Sequence, residues 1–482
     1  MPQDLCLIAA PVSPPPSIGP VRARAGETSR TRTAALTIAL LALAHPVFAL
    51  LLVVGPVAVA VFHAWEFLVP PVAWMVFGIA GSVLDRSPLP GVAVRPAQEP
   101  ELTRLVQEIA EGLQIRRPLA VRVIPTVDAA VYDDKLRGQP ASVIVLGWPL
   151  VKHLSAEELR AVVAHELAHR DHLDDRRAMR LLSARSQVAD SPPSRFWPPR
   201  RWRMALLRAT QQVSYDHELA SDAAAARVVG PAAAASALLA TERLDAAYEL
   251  LASRWVDSLA ERGQWPEDLY LAMSEAMRDP LVQHRLDRMI ARRPPHDVDE
   301  SHPSTAERVA ALGEPPPPEP SAPLALHAPQ ELERHVNELL GEPDESPVRV
   351  LDLEPDALTD DRMSEDLLDE LVELTGARDR RAALTEVHRR VRNATWRPLA
   401  HDLEPALRGA PDEAERLVMG GALSHLLVSQ LRLAGWHRKS RWVRSSLVGP
   451  DGVTVHVRDV IDAALETGDC TELDALVAKA QP

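Results

Sequence analysis

Cysteine is almost absent from this chain: Cys6 and Cys470, near opposite ends of 482 residues, are the only two. That excludes a disulfide framework and a thiolate metal cluster, and it favours a reducing compartment. Positive charge is also in short supply, with Lys+Arg 53 against Asp+Glu 67 and a formal net charge of -14. The chain therefore has no global attraction for nucleic-acid phosphates, and no nucleic-acid partner is expected. It has no internal repeat. What it has in excess is proline, 43 residues, clustered in the N-terminal tail, from Ser191 to Arg201 and from Glu314 to Pro323, where it marks tails and linkers. A chain this long exceeds what one hydrophobic core organises, so two or more domains are expected.

From Ala34 to Phe62 only His45 interrupts an apolar run, which as a helix is roughly 43 Å long, more than one bilayer crossing needs. A second run, Phe67 to Leu84, follows almost at once. Gly55-Pro56, His63, Glu66 and Pro70-Pro71 supply break points, and Trp65 and Trp74 suit the headgroup level. The pattern predicts a two-helix membrane hairpin over 34–84, since a cleaved signal peptide has a shorter apolar region and no second run. Arg22, Arg24, Arg30 and Arg32 precede it and Arg86 and Arg95 follow it, which places both flanks in the cytoplasm. The expectation is an integral protein of a plasma membrane, such as a bacterial inner membrane, with the bulk of the chain cytoplasmic and the lipid bilayer as a partner.

Beyond the hairpin the sequence predicts a mainly α protein with a small β element. Glu101 to Gly112 is amphipathic, with Leu102, Leu105, Val106 and Ile109 at helical spacing. Two β-type runs, Ala120 to Ile124 and Ser142 to Leu146, flank a polar turn near Asp133 to Gln139. Ser155 and Glu158 form a capping box that opens a helix through His169 and on towards Ser183. Trp202 to Val229 is helical up to Gly230-Pro231, and an alanine-rich helix follows to about Leu251. The resulting division is a tail over 1–33, the hairpin over 34–84, a catalytic domain over 85–313, a Pro-rich linker over 314–329 and a mostly helical C-terminal domain over 330–482. In the last, Leu417 to Leu433 has an apolar face, Pro450-Asp451-Gly452 suggests a hairpin between Val443 and Val457, and His437 to Arg444 is a basic patch.

The chemical signal is Ala164-His165-Glu166-Leu167-Ala168-His169. Histidines at i and i+4 share one helix face one turn apart, close enough to hold one tetrahedral zinc ion, while the glutamate between them can reach a water at the metal as general base. With His 17 in the chain, chance yields this motif about once in 25 such sequences, so its setting in a capped helix after a β-type run matters. Catalytic zinc usually takes a third protein ligand. Glu218 is the best candidate: in His217-Glu218-Leu219-Ala220-Ser221-Asp222 it lies one turn from Asp222, which could orient a ligating imidazole. Such an acidic pair is ordinarily just solvated, and the upstream motif is what favours the ligand reading. His172 competes for the role, but in a straight helix it lies about 10 Å from His165.

Downstream, His302-Pro303-Ser304-Thr305 opens a short helix containing Arg308. An alanine-preceded His-Glu-x-x-His, a later Glu-x-x-x-Asp and a final His-Pro-Ser/Thr with a nearby Arg together resemble the membrane zinc peptidases of the HtpX and CaaX prenyl-protease family, over about Val121 to Leu312. The resemblance implies a zincin-like metallopeptidase domain, built on a zinc helix, a ligand helix and a short β-sheet, that binds one zinc ion. It implies His165, His169 and Glu218 as metal ligands and Glu166 as catalytic base. Asp222 and Arg308 are then supporting residues, and His302 stabilises the tetrahedral intermediate. The expected activity is endopeptidase cleavage of membrane or misfolded proteins; the alternative is a catalytically silent, membrane-tethered adaptor with a structural zinc and a partner-binding C-terminal domain. Two departures stand out. The charged segment 191–202 replaces the further membrane spans of some members, and Val127-Asp128-Ala129-Ala130 stands where the family carries Asn-Ala.

Overall fold

A computed structural model of the chain describes residues 89–136, 139–171, 181, 185, 200–292, 302–318, 321–355, 362–407 and 412–480. The expected tail and membrane hairpin over 1–84 lie outside the described residues, as do His172 and most of the 191–202 segment. Among the described residues no helix is long and apolar enough to cross a membrane.

The chain divides into two compact units, each made of two separate segments: Met1–Asp245 with Pro295–Val336, and Ala246–Pro294 with Asn337–Pro482. In the first unit, strands β1 (Val92–Val94), β2 (Leu119–Ile124), β3 (Ala129–Leu136) and β4 (Gln139–Gly147) form one sheet in the order β1-β2-β4-β3. β2 and β4 are parallel neighbours, whereas β3 folds back antiparallel on β4 from Ala129↔Leu146 to Leu136↔Gln139. The polar stretch expected as a turn near Asp133 to Gln139 is therefore mostly strand. Its composition is tolerated because β3 is an edge, bonded on one side only among the described residues. The two central strands are apolar on both faces, with Leu119, Ala120, Val121 and Val123 of β2 and Val143 to Leu146 of β4 buried.

Helix α1 (Pro100–Gly112) buries Leu102, Leu105, Val106 and Ile109, the face its periodicity marks. After the short α2 (Trp148–His153), helix α3 (Ala156–Asp171) starts at the expected capping box: the Ser155 hydroxyl accepts from the Glu158 N–H at 3.3 Å, and Glu158 accepts from the Ser155 N–H at 2.9 Å. Helix α4 (Arg200–Val229) packs along α3 and ends at Gly230, where φ is 91°. Helix α5 (Pro231–Ala247) continues into a π-helical turn, Tyr248–Ser253.

The proline-rich stretch does not end the first unit. Pro323 bridges to Ser155, the Ala156 N–H donates to the Ala322 carbonyl, and the carboxylate of Glu99, 2% exposed, accepts the N–H groups of His327 and Ala328 at 2.7 and 2.8 Å. Those amides open the helix beginning at Pro329, so a glutamate 228 residues away in sequence acts as its cap. On that helix Glu333 accepts from Trp148 and Lys152 at 2.9 and 2.6 Å.

The second unit joins residues 246–294 to the C-terminal segment, across the boundary expected at 314–329. Three-residue strands Gln264–Pro266 and Ser346–Val348 pair in parallel, the Asp268 carboxylate accepts the Val350 N–H at 2.6 Å, His284 meets Asp459 at 2.7 Å, and Arg292 pairs with Asp462 and Glu466. The expected C-terminal hairpin forms between Ser446–Val448 and Thr454–His456. The basic patch is largely consumed internally: Arg438 donates to the Pro355 carbonyl, and Arg441 donates to the carbonyls of Leu351 and Leu353 while lying over Trp442. Because 246–294 finds its strand and ion-pair partners in 337–482, a chain ending at Val336 should lose soluble yield and a sharp thermal transition relative to the full chain. Comparable yield and melting would contradict this assignment.

Candidate metal centre

The site is assembled by α3, α4 and the short helix α6 (Thr305–Ala311) of the first unit. Helix α6 begins just after His302-Pro303 with a complete capping box between Ser304 and Glu307, which fixes the angle at which His302 and Arg308 enter. From α3, His165 and His169 project their Nε2 atoms towards each other at 2.8 Å. From α4, Glu218 approaches both: Oε1 lies 3.3 Å from His169 Nε2, and Oε2 lies 3.5 Å from His165 Nε2. One donor atom from each of the three residues falls within a span of 4.8 Å.

Two imidazole nitrogens and one carboxylate oxygen form a donor set that zinc favours. In a tetrahedral site with bonds of about 2.0–2.1 Å, neighbouring ligand atoms stand about 3.3 Å apart. Each Glu218 oxygen stands near that distance from a different imidazole nitrogen, and the gap between the two nitrogens is slightly closed. Glu218 Oε2 is buried without a hydrogen bond that satisfies it, with His302 Nδ1 2.9 Å and Arg308 3.7 Å away. A buried carboxylate oxygen in that state is costly unless a cation takes it up, so these residues fit a metal ion.

Each imidazole is oriented from behind. His165 Nδ1 lies 2.9 Å from Asp222 Oδ1, and Arg308 clamps the Asp222 carboxylate with Nε to Oδ2 at 2.8 Å and a terminal amine to Oδ1 at 2.7 Å. Asp222 is 4% exposed, so the arginine supplies the charge that water would otherwise supply. His169 Nδ1 faces the Ser221 hydroxyl at 3.1 Å and His217 Nδ1 at 3.0 Å, with the His217 ring stacked on its own. His217 and Ser221 were not singled out from the sequence. Their one-turn spacing, parallel to that of Glu218 and Asp222, was the available signal.

The two histidines titrate in opposite senses. Burial works against a charged His165, but hydrogen bonds to Asp222 and Glu218 overcome it and raise its pKa to about 9. Burial and the neighbouring His165 lower His169 to about 3. For Glu218, burial is outweighed by His165 and His302, which hold it well below the usual carboxylate range. Asp222 is likewise lowered against burial, by Arg308 and His165. Glu166 goes the other way: burial, reinforced by the charges of Glu218 and Asp128, raises it to about 7. Its carboxylate makes no hydrogen bond among the described residues. His302 is 58% exposed, and its charge acts on Glu166 and on Asp128.

The structure thus brings together all seven residues picked from the sequence. In the metal-free protein His165 keeps its proton below about pH 9, so a metal must displace that proton. Affinity for zinc should rise about tenfold per pH unit between pH 6.5 and the value of about 9, then level off, with about one proton released at pH 7. Titration calorimetry in buffers of different ionisation enthalpy checks both. Arg308→Ala, which strands the buried Asp222 carboxylate, should weaken zinc binding by about 10- to 100-fold and destabilise the protein by about 3 kcal/mol, as read by metal-chelator competition and thermal melting.

Residues 96–315 match the family model described as peptidase family M48. The chain has no significant match among curated proteins or among solved structures. M48 peptidases are zinc-dependent, and the matched segment contains every residue of the site just described. The match over residues 96–315 marks the protein as a metallopeptidase, a hydrolase.

Proposed function

We propose that the protein is a zinc-dependent endopeptidase that hydrolyses peptide bonds of membrane or misfolded proteins, with His165, His169 and Glu218 as the ligands of a single zinc ion. The observation that carries this reading is the convergence of those three donors beside Glu166, whose carboxylate has no partner among the described residues. Zinc, when bound, acts as a Lewis acid on the scissile carbonyl and brings water near neutral acidity.

The chain's own residues do the rest. Glu166 takes the proton of the attacking water and later delivers it to the leaving amine. In the metal-free protein burial lifts this carboxylate to about 7, and a base near ambient pH suits both transfers. His302, with Nδ1 turned to Glu218 and its ring half in solvent, is the donor for the charge that builds on the carbonyl oxygen. Asp222 and Arg308 keep His165 in one tautomer and orientation.

The membrane part of the proposal rests on the apolar runs over 34–84 and their arginine flanks, which favour an anchored enzyme with its metal centre on the cytoplasmic side. Carbonate extraction of membranes from expressing cells tests the anchor, since a peripheral protein is released and a spanning one is not.

For the chemistry, purified wild type and Glu166→Gln are compared for zinc content and for cleavage of an unfolded protein. Equal zinc content with turnover lower by about 10²- to 10⁴-fold is expected of the variant. Equal turnover in the two, or stoichiometric zinc with no turnover in either, sinks the proposal.

A further inference from the structure

We infer that Asp128 makes the site select a cationic group, an ammonium or a guanidinium, next to the bond that is cut. The inference deepens the endopeptidase reading and rests on it. Asp128 directly precedes β3, an edge strand of the four-stranded sheet among the described residues, and β3 packs against the α3 helix that carries His165, Glu166 and His169. An extended segment laid along that edge would pass Asp128 as it reaches the metal centre.

The position of this carboxylate is built rather than incidental. The Asp128 carbonyl accepts the Gly147 N–H at 2.7 Å, and the turn crosses so close that a Cβ on Gly147 would stand 2.2 Å from the Thr126 carbonyl oxygen and 3.0 Å from Asp128 N. The side chain is pinned in turn, since its Oδ1 accepts the Ala129 N–H at 2.8 Å. No Lys or Arg pairs with Asp128 among the described residues, and the second carboxylate oxygen has no hydrogen bond there. The charges that face it are His302, half exposed, and Asp245, which repels it; its own charge reaches Glu166. Beside the centre, Asp128, which is exposed, and Glu166 are thus carboxylates without a fixed basic partner among the described residues. A substrate cation supplies that partner, while an acidic substrate is repelled.

Recognition can be read apart from turnover in the full-length, zinc-loaded Glu166→Gln protein. The probes are decapeptides differing only in Lys or norleucine beside the cleaved bond, and in a free or acetylated N-terminus. The cationic member of a pair should bind about fivefold more tightly at low ionic strength, with the advantage shrinking towards one at about 0.5 M salt. The pair that shows the ratio tells whether a side chain or an α-amine is the source. Adding Asp128→Asn, which keeps an oxygen for the Ala129 N–H, should abolish the ratio, and Asp128→Ser serves as the second variant if the first melts abnormally. Equal binding of cationic and neutral peptides, or a preference that survives loss of the carboxylate, overturns the inference. Cleavage of the neutral peptide by wild type is scored alongside, so a missing peptidase activity and a missing charge preference are told apart.

Discussion

The interaction on which the centre depends is the bidentate clamp of Arg308 on Asp222. It joins the last helix before the proline-rich stretch to the middle of the ligand helix, and through the Asp222 to His165 contact it reaches the metal-binding atoms. A buried carboxylate that orients an imidazole is useful only if it stays ionised, and burial alone would push it towards the neutral acid. The guanidinium, held 14% exposed, prevents that. Charge pairing here is a condition for geometry more than a gain in stability.

Two histidines one turn apart end up in different protonation environments because of what stands behind them. Both face Glu218, but behind His165 stands the Asp222 carboxylate, and behind His169 a hydroxyl and another imidazole. At the first, a metal ion would have to displace a proton from the imidazole, whereas the second is already neutral at physiological pH. Glu166, between them in sequence, escapes both arrangements and keeps a carboxylate without a partner among the described residues.

Local signals carried the site well. The capping box at Ser155 and Glu158, the i, i+4 pair of histidines, and the one-turn step from Glu218 to Asp222 are all short-range patterns fixed by helix geometry, and the structure assembles them on facing helices. Signals spread over long separations were not readable. Glu99 capping a helix that starts at Pro329 leaves no local trace, and the strands Gln264–Pro266 and Ser346–Val348 are too short for a period-2 pattern to register. Strand β3 was obscured for a different reason: an edge strand need not alternate or be apolar, and Asp133-Asp134-Lys135 reads as a turn when composition is the only guide. The proline run misled in the opposite direction, because a stiff segment can bridge to a strand or cap a helix as readily as it can separate domains.

The threading of the chain sets an order of arrival during synthesis. His165, His169 and Glu218 leave the ribosome first. The ribosome then makes residues 246–294, whose pairing partners Val348, Asp459 and Asp462 come later still, and only between these two stretches does it deliver His302 and Arg308. Until Arg308 arrives, Asp222 has only His165 as its partner and lacks the bidentate clamp. A nascent chain thus carries the three converging donors before the arginine that organises them has been made.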